Sequence, residues 1–333
     1  MISNDLVSAW KQVELEVISK SQLSIRLVAP ELLYRTYVGL IPMPARKFVI
    51  FEIPEKNATR YQAFDKNEGF EILIRSTGQE KEGFISCIIQ ARSSDQNDVF
   101  SIVCEDILSV LEPCKNDEDY ITTLEGRLNK WKDFFKNKSS KILTETAQLG
   151  LFGELWLIDT LLNVGFINAS EIWNGPIHSA QDFQWGSLAI EMKATKSNFI
   201  KSVPINSADQ LSNKDYERLY LGVVRFSRAD SDGMALHDLI ETIERKLDSS
   251  AQKRFKAKLQ CLGYDEALRE EYVNRFKFEE ARFYDVCNDF PRLVRSELPK
   301  GVSHIKYDIN LDYCEDYQIS IDDFLFSIKD IKQ

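Results

Sequence analysis

The sequence has few of the residue patterns that mark metal clusters, disulfide frameworks or membrane spans. Its six cysteines are scattered without a CxxC pair, and its three histidines lie in three separate regions. These patterns argue against a zinc site, a disulfide scaffold and a multi-histidine metal centre. No apolar run is long enough to cross a bilayer, and the first residues lack the basic and apolar regions of a signal peptide. We therefore expect a cytoplasmic protein with reduced thiols and no membrane partner.

Positive charge is also scarce. The 333 residues include 42 Lys and Arg against 52 Asp and Glu, which gives a net charge of −10. This balance argues against a protein that coats nucleic acid through bulk charge, although a local basic groove is compatible with it. A P-loop of the form GxxxxGK(S/T) is missing too, so any nucleotide-driven translocation requires a partner protein.

Hydrophobic residues, by contrast, make up 44% of the chain, and its length fits two globular domains of ordinary size. Up to about residue 125, short runs rich in Ile, Val, Phe and Tyr alternate with breaks that contain Pro, Gly or Asn. This pattern is typical of an antiparallel sheet or barrel, and one helix, "NDLVSAWKQVELEVIS", precedes it. We predict a β-rich N-terminal domain at residues 1–125, used for recognition or for docking a partner.

Residues 126–333 have a different pattern, with a core expected at 145–250 and a C-terminal extension that contains strands. The buried helix "TETAQLGLFGELWLIDTLLNVG" precedes two short strands joined by a Gly-Ser turn. Ser207 and Gln210 in "SADQL" have capping-box spacing, which predicts a short helix. The apolar strand "RLYLGVVRFS" and the amphipathic helix "MALHDLIETIERKL" follow. This order predicts a mixed sheet flanked by helices, α/β in the core and α+β overall.

The stretch "SAQDFQWGSLAIEMKATKS" places two carboxylates face to face. Pairing its strands through a two-residue turn sets Asp182 across from Glu191, and alternation puts Lys193 on the same polar face. At ~5 Å and an effective dielectric constant of ~20, two such carboxylates repel each other by about 3 kcal/mol. A retained proton, the ammonium of Lys193 or a divalent cation relieves the repulsion, and Mg²⁺ suits hard oxygen ligands on a rigid scaffold. The alternative is a solvated strand face with accidental charges.

Glu154 is the only acid in the apolar helical stretch "AQLGLFGELWLI". Because a buried glutamate is rare unless it is paired, we expect Glu154 to face a polar pocket. Gly150 and Gly153 beside it permit close approach of another backbone or of a ligand. The alternative is a glutamate at the one wet edge of the helix.

Glu154 on a first helix, Asp182 on one strand and the Glu-Met-Lys tripeptide at 191–193 on the next resemble the PD-(D/E)XK nuclease superfamily. The order of elements over residues 145–226 is similar to the restriction-endonuclease-like core of that superfamily. Gln181 stands where the motif has proline, a departure that the superfamily tolerates. The stretches "GLFGELWLI", "IEMKAT", "DQL" and "FPRLVRSELPKGVSHIKYDI" resemble an uncharacterised bacterial group found beside restriction-modification and phage-defence genes.

The resemblance implies a metal-dependent endodeoxyribonuclease of restriction or phage defence. Asp182, Glu191 and the main-chain carbonyl of Met192 would bind Mg²⁺, with Mn²⁺ as a substitute. Lys193 would position the attacking water and stabilise developing charge, and Glu154 would contact the metal directly or through water. DNA is the implied substrate, and the implied partners are an ATPase, a methyltransferase or a second copy of the chain. The alternative is a catalytically silent member of this fold that serves as a DNA-binding or protein-interaction subunit.

Weaker signals surround the motif. Gln210 resembles a glutamine that follows the lysine in some related nucleases, but its spacing also suits a helix cap. Candidate DNA contacts, for which solvated surface residues are the alternative, are Lys196, Arg292, Arg295 and Lys300, with His304 and Lys306 beside them. His178 lies four residues before Asp182 and could approach the site. A glycosidase also works with two carboxylates, but the adjacent lysine suits a metal site better, and sugar-stacking aromatic residues are not concentrated there.

Overall fold

A computed structural model describes residues 2–20, 23–64, 69–78, 80–136, 142–175, 180–229, 232–302 and 305–329. The chain divides into two compact units, Met1–Lys141 and Ile142–Gln333. The division lies later than the predicted boundary near residue 125, because the helix that spans that position buries one face within the first unit. None of the described helices is long and apolar enough to cross a membrane.

In its described residues, the first unit combines an open antiparallel sheet with three α-helices and two 3-10 helices, Glu55–Phe64 and Ser94–Gln96. Its elements are α1 (Ile2–Lys20), β1 (Ser24–Val28), β2 (Thr36–Pro42), β3 (Ala45–Pro54), β4 (Phe70–Arg75), β5 (Phe84–Ala91), α2 (Asn97–Leu111) and α3 (Asp117–Lys136). The strand order is β1-β2-β3-β5-β4, and every pairing is antiparallel. The predicted antiparallel sheet and first helix are confirmed. The sequence patterns do not predict α2, because its Val, Ile and Phe are equally typical of strands.

Helices α1 and α2 cover one face of this sheet. Val13 of α1 packs on Leu40 of β2, and α2 contacts β3 and β5. Since side chains alternate along a strand, the opposite face carries the other residues of each strand, among them Phe48, Ile50 and Ile88. We call this second surface the outer face of the first unit.

The second unit contains the predicted helix, the strand pair and a mixed sheet. Its elements are α4 (Glu145–Asn163), β6 (Phe183–Trp185), β7 (Leu188–Thr195), β8 (Ser202–Ile205), β9 (Arg218–Arg228), β10 (Met234–Ala235), α5 (Leu236–Glu244), α6 (Ser249–Cys261), β11 (Arg275–Asp285), β12 (Tyr307–Asn310), β13 (Gln318–Ile319) and α7 (Ile321–Lys329). The main sheet has the order β10-β11-β9-β7-β6. Strands β7 and β9 are parallel and the other pairs antiparallel, so the predicted mixed sheet and α+β class are confirmed.

Both faces of the main sheet are buried. One apolar cluster joins it to residues of helices α4, α5, α6 and α7, and a second cluster joins it to the small β8–β12 sheet and neighbouring loops. The second cluster lies on the face of Ala189 and Glu191, which are 0% and 1% exposed. The alternative of a solvated strand face is therefore wrong for Glu191, because residues of β8 and β12 bury the face that alternation left polar.

The hairpin follows the predicted register. Phe183 pairs with Ile190, Gln184 with Ala189 and Trp185 with Leu188. Gly186 has a φ of 57°, the conformation that a tight two-residue hairpin turn requires at its first central position. Turn chemistry and alternation therefore suffice to set Asp182 beside Glu191.

The short helix predicted at "SADQL" does not form. Residues 207–211 make turns, in which the amide of Gln210 donates to the carbonyl of Ser207 at 3.3 Å. The Gln210 side chain accepts from the backbone N–H of Asn206 at 2.7 Å and also reaches the carboxylate of Glu191. The glutamine that resembled a helix cap is thus bound to the acidic cluster instead.

Candidate active site

Asp182 lies at the edge of the hairpin, immediately before β6. Its Oδ2 accepts a hydrogen bond of 2.7 Å from the backbone N–H of Met192, on the neighbouring strand. Its own carbonyl accepts from the N–H of Asn174 at 2.7 Å. The N–H of Met192 therefore fixes the orientation of the carboxylate. Because the side chain is partly exposed, the carboxylate is also open to a ligand.

Glu191 is held on one oxygen only. Its Oε1 accepts from Lys193 Nζ and from Gln210 Nε2, each at 2.6 Å. Lys193 Nζ also lies 3.4 Å from Oε1 of Gln210. Oε2 of Glu191 is buried and has no hydrogen-bond partner among the residues that the structure describes. Leaving a buried acceptor unsatisfied costs about 1–3 kcal/mol, and more for a charged one, so this oxygen is a candidate ligand atom.

Glu154 reaches this cluster because α4 packs tightly on β7. A Cβ added at Gly153 would lie 2.7 Å from Cβ of Ala194 on that strand, so only glycine permits the approach. The same construction at Gly150 meets nothing within 4 Å, so this glycine has no such role. Oε2 of Glu154 accepts a hydrogen bond of 2.7 Å from the indole Nε1 of Trp173, which fixes the carboxylate on its partly buried side.

The loop that carries Trp173 is anchored by a buried lysine. Lys258 on α6 is 1% exposed, and its ammonium donates to the carbonyls of Ser170 at 3.0 Å and Glu171 at 3.3 Å, and to that of Trp173. Trp173 also forms a β-bridge with Phe183 of the hairpin. The anchored loop therefore ties the indole, and through it Glu154, to the strand that follows Asp182.

The three acids share one electrostatic environment. Burial raises the pKa of Asp182 to about 6, against the opposing effects of the Met192 N–H and of Lys193. Burial also raises the pKa values of Glu154 and Glu191 well above the usual range, with the charge of Asp182 as the second cause and Lys193 opposing both shifts. Each of these groups is therefore harder to ionise than an exposed carboxyl, and a cation bound beside them would favour their ionised forms.

The donor set fits Mg²⁺ through few protein ligands. Within the described ranges, no three acidic, histidine or cysteine side chains are placed to bind one ion together. Mg²⁺ is commonly held by one or two carboxylates, with water and substrate phosphate in the other positions. Asp182 and the unpartnered oxygen of Glu191 supply such hard ligands, with Glu154 coupled to both through its charge. The residues present therefore fit a two-carboxylate site and not an all-protein cage.

Two arginines extend the cationic side of the cluster. In the sheet register, Lys193 pairs with Val223 and Thr195 with Arg225, while Arg282 and Glu280 on β11 pair with the same two β9 residues. Paired residues point to the same side of a sheet, so both arginines share the face of Lys193. Each is partly exposed and ion-paired with Glu280.

The other predicted basic residues lie in different surroundings. Arg292 donates to the carbonyls of Leu211 and Val286 and to Asn213, so it braces the loop after Gln210. Arg295 is exposed and ion-paired with Asp209 at 2.8 Å.

Lys196 pairs with Glu145 on the first turn of α4, and Lys300 and Lys306 are exposed. His178 and His304 lie outside the described residues.

Sequence reasoning missed Trp173, Lys258, Arg225 and Arg282. The contact from Trp173 to Glu154 spans 19 residues, and those from Lys258 to the loop span 85 to 88. No short-range pattern encodes such pairs. The arginines stood inside predicted strands, but only the register across three strands places them beside Lys193.

Comparison with known families agrees with this geometry. The family model described as "Putative PD-(D/E)XK family member, (DUF4420)" matches residues 6–312, which is nearly the whole chain. No curated protein and no solved structure matches the chain. The match includes Glu154, Asp182, Glu191 and Lys193, the four positions that the sequence motif singled out. The chain therefore belongs to the DUF4420 family, which that description assigns to the PD-(D/E)XK proteins as a putative member.

Proposed function

We propose that the protein is a Mg²⁺-dependent endonuclease that hydrolyses phosphodiester bonds in DNA. One observation carries the proposal. The buried carboxylate of Glu191 is held by Lys193 and Gln210 on one oxygen and has no described partner on the other, with Asp182 beside it. A purely structural acid would have both oxygens satisfied. Membership of a PD-(D/E)XK family supports the same reaction class.

Each residue has a role that its contacts support. Asp182, oriented by the N–H of Met192, and Oε2 of Glu191 are the proposed metal ligands, with the Met192 carbonyl and Glu154 as further oxygen donors. A bound Mg²⁺ would polarise the phosphate and make an attacking water more acidic. Lys193, held 2.6 Å from Glu191, would orient that water and offset charge that grows on the phosphate. Mn²⁺ is the expected substitute.

Nearby cations favour a polyanionic substrate. Arg225 and Arg282 share the face of Lys193, and exposed Arg295 lies beside the turn of Gln210 through its ion pair with Asp209. Each of these arginines is ion-paired with an acidic side chain, so a substrate phosphate would have to compete with that acid for the guanidinium. Lys196 and Lys300 are weaker candidates for such contacts.

The biological setting is also part of the proposal. We place the protein in the cytoplasm, in restriction or phage defence, with a homodimer, an ATPase or a methyltransferase as the partners. Within the described residues all six cysteines are free thiols, which suits a reducing compartment. Cutting both strands of a duplex would favour a second copy or a partner nuclease.

The decisive experiment is cleavage of plasmid and linear DNA with Mg²⁺ or Mn²⁺. Asp182→Ala should abolish cutting, while Asp159→Ala should leave it unchanged. Asp159 lies on α4 and pairs on the surface with Lys246, so it controls for loss of an acid. Cutting that survives in Asp182→Ala would remove this site from the reaction.

The alternative function is a catalytically silent DNA-binding or interaction subunit. One observation favours it: the ammonium of Lys193 is already ion-paired with Glu191. Metal titration followed by melting temperature separates the two functions. A silent fold would show no Mg²⁺ stabilisation that depends on Asp182.

A further inference from the structure

A buried glutamine precedes the first carboxylate of the candidate active site. Gln181 is 3% exposed and lies in the bend that leads to Asp182 and β6. Its side-chain amide donates to two backbone carbonyls, that of Asp209 at 2.8 Å and that of Gln210 at 3.2 Å. These acceptors are 28 and 29 residues further along the chain. The side chain of Gln181 therefore joins the start of the hairpin to the turn that carries Gln210.

The described strand pairs stop short of Asp182. The pairing between β6 and β7 ends at Phe183 and Ile190, so Asp182 lies one residue beyond the last pair. Its carboxylate reaches β7 by accepting from the N–H of Met192. That hydrogen bond orients the side chain, but it leaves the backbone of Asp182 to be held by other contacts.

Asn174 supplies the first of these contacts. Its N–H donates to the carbonyl of Asp182 at 2.7 Å, and its side-chain amide donates to the carbonyl of Gln181 at 2.9 Å. The amide of Gln181 adds a second tie, to the turn of Gln210. Because these hydrogen bonds restrain adjacent residues, the position of Asp182 depends on that turn as well as on its own strand.

Gln210 completes the link to the second carboxylate. Its Nε2 donates to Oε1 of Glu191 at 2.6 Å, while its own Oε1 accepts from the N–H of Asn206 at 2.7 Å. Arg292 steadies the same turn by donating to the carbonyl of Leu211 at 3.1 Å. Since the side chain of Gln210 is held at both ends, a shift of the turn backbone would also shift the donor to Glu191.

These hydrogen bonds form a closed ring of contacts around the site. The amide of Gln181 contacts the turn, Gln210 of that turn contacts Glu191, and the N–H of the next residue, Met192, returns to Asp182. Both proposed metal ligands belong to this ring. Gln181 is the member that joins the ligand on one strand to the turn that holds the ligand on the other.

We propose that Gln181 is a positioning residue that sets the separation of the carboxylates of Asp182 and Glu191, and thereby the affinity of the site for a divalent cation. The inference rests on the proposed function and gives Gln181 a role without contact to the cation. Mg²⁺ demands near-ideal geometry of its ligands, so a displaced carboxylate weakens its binding. Residues that orient metal ligands contribute about 10- to 100-fold to metal affinity.

The test replaces Gln181 with methionine, which has a similar length but no hydrogen-bond donor. Isothermal titration calorimetry of the full chain without DNA measures the dissociation constant of Mg²⁺, and Gln181→Met should raise it about 10- to 100-fold. Gln252→Met is the matched control. Gln252 on α6 also donates its amide to two carbonyls, those of Glu244 at 2.8 Å and Leu247 at 2.9 Å, so this variant should bind Mg²⁺ like the wild type.

A second measurement needs no metal. In NMR spectra recorded in EDTA, the side-chain amide resonance of Gln210 reports its hydrogen bond to Glu191. In Gln181→Met this resonance should move toward that of a solvent-exposed glutamine. Gln181→Asn, whose amide is one methylene shorter, should give intermediate changes in both measurements, and it takes the place of Gln181→Met if that variant does not fold.

The two measurements separate the inference from the proposed function. Wild type that binds no Mg²⁺ would overturn the proposed function, and the Gln210 resonance would then decide the role of Gln181 by itself. An unmoved resonance in a folded variant would overturn the positioning role. So would an unchanged dissociation constant where the wild type binds Mg²⁺.

Discussion

Each unit of this protein buries a carboxylate beside a cation, but the hydrogen bonds to the two carboxylates differ. In the first unit, Asp106 is 0% exposed, and Arg127 donates to both of its oxygens while the indole of Trp131 donates to Oδ2 at 2.6 Å. In the second unit, Glu191 is 1% exposed, but Lys193 and Gln210 both bond to the same oxygen.

The difference distinguishes a structural acid from a candidate ligand. Asp106 has its charge and both oxygens compensated within the fold, so it needs nothing further. Glu191 keeps one oxygen unpartnered and lies within the field of Asp182 and Glu154, which raise its pKa further. A buried acid left half-satisfied among other acids is where a fold departs from local consistency, and such departures concentrate at functional sites.

The largest expected effect comes from a substitution that breaks the buried ion pair between Arg127 and Asp106. Arg127→Met should lower the free energy of unfolding of the first unit by about 3–5 kcal/mol, because it leaves the charge of Asp106 buried and uncompensated. Urea denaturation measures this loss. Arg60→Met, which removes only an exposed pair with Glu125, should cost less than about 1 kcal/mol. Equal losses in the two variants would contradict the structural role of Asp106.

The second prediction concerns the cation of the other cluster. Lys193→Ala should lower the cleavage rate by about 100- to 1,000-fold, the usual result of removing one charge-stabilising donor. Mg²⁺ binding should be largely retained, since Asp182 and Glu191 remain. Lys256→Ala, the loss of an exposed lysine paired with Glu244, should cleave normally. Unchanged cleavage in Lys193→Ala would take this residue out of the reaction.

The third prediction is a gain in the free energy of unfolding, whereas the first is a loss. Asp182→Asn keeps an acceptor for the N–H of Met192 but removes a charge whose pKa is raised to about 6. The apo variant should therefore be about 1–3 kcal/mol more stable at pH 8 while losing Mg²⁺ stabilisation. Asp159→Asn should bring no such gain. A lower melting temperature of apo Asp182→Asn would mean that the acids do not repel one another.

The stability gained by apo Asp182→Asn should also depend on pH. A carboxyl whose folded pKa is raised contributes stability that is fully present below its unfolded pKa of 3.8 and is lost as pH rises through about 6. The stability difference between Asp182→Asn and wild type should therefore shrink as pH falls from 8 and vanish only below about 3.8. Chemical denaturation across this range measures it, and a constant difference would contradict the raised pKa.

These contrasts also indicate what the sequence could predict. The hairpin register follows from a Gly-Ser turn and strict alternation, so Asp182, Glu191 and Lys193 were predictable as neighbours. Burial of their face was not, because β8 and β12 come from segments whose pairing no local pattern specifies. Gln210 shows the same limit of local patterns. Its capping-box spacing predicted a helix cap, but its side chain is held by the carboxylate of Glu191, 19 residues away.

The smallest expected effect tests the indole that holds Glu154. Trp173→Phe keeps a ring against Phe255 but removes the N–H that favours the ionised form of Glu154. The pKa of Glu154 should rise further, so Mg²⁺ affinity should fall about tenfold, as for other residues that orient metal ligands. The acid limb of the cleavage profile should move to higher pH. Trp185→Phe, whose ring packs on Phe166, is the matched control. An unmoved acid limb in a normally melting Trp173→Phe would reduce the indole to a packing group and leave Glu154 oriented by burial alone.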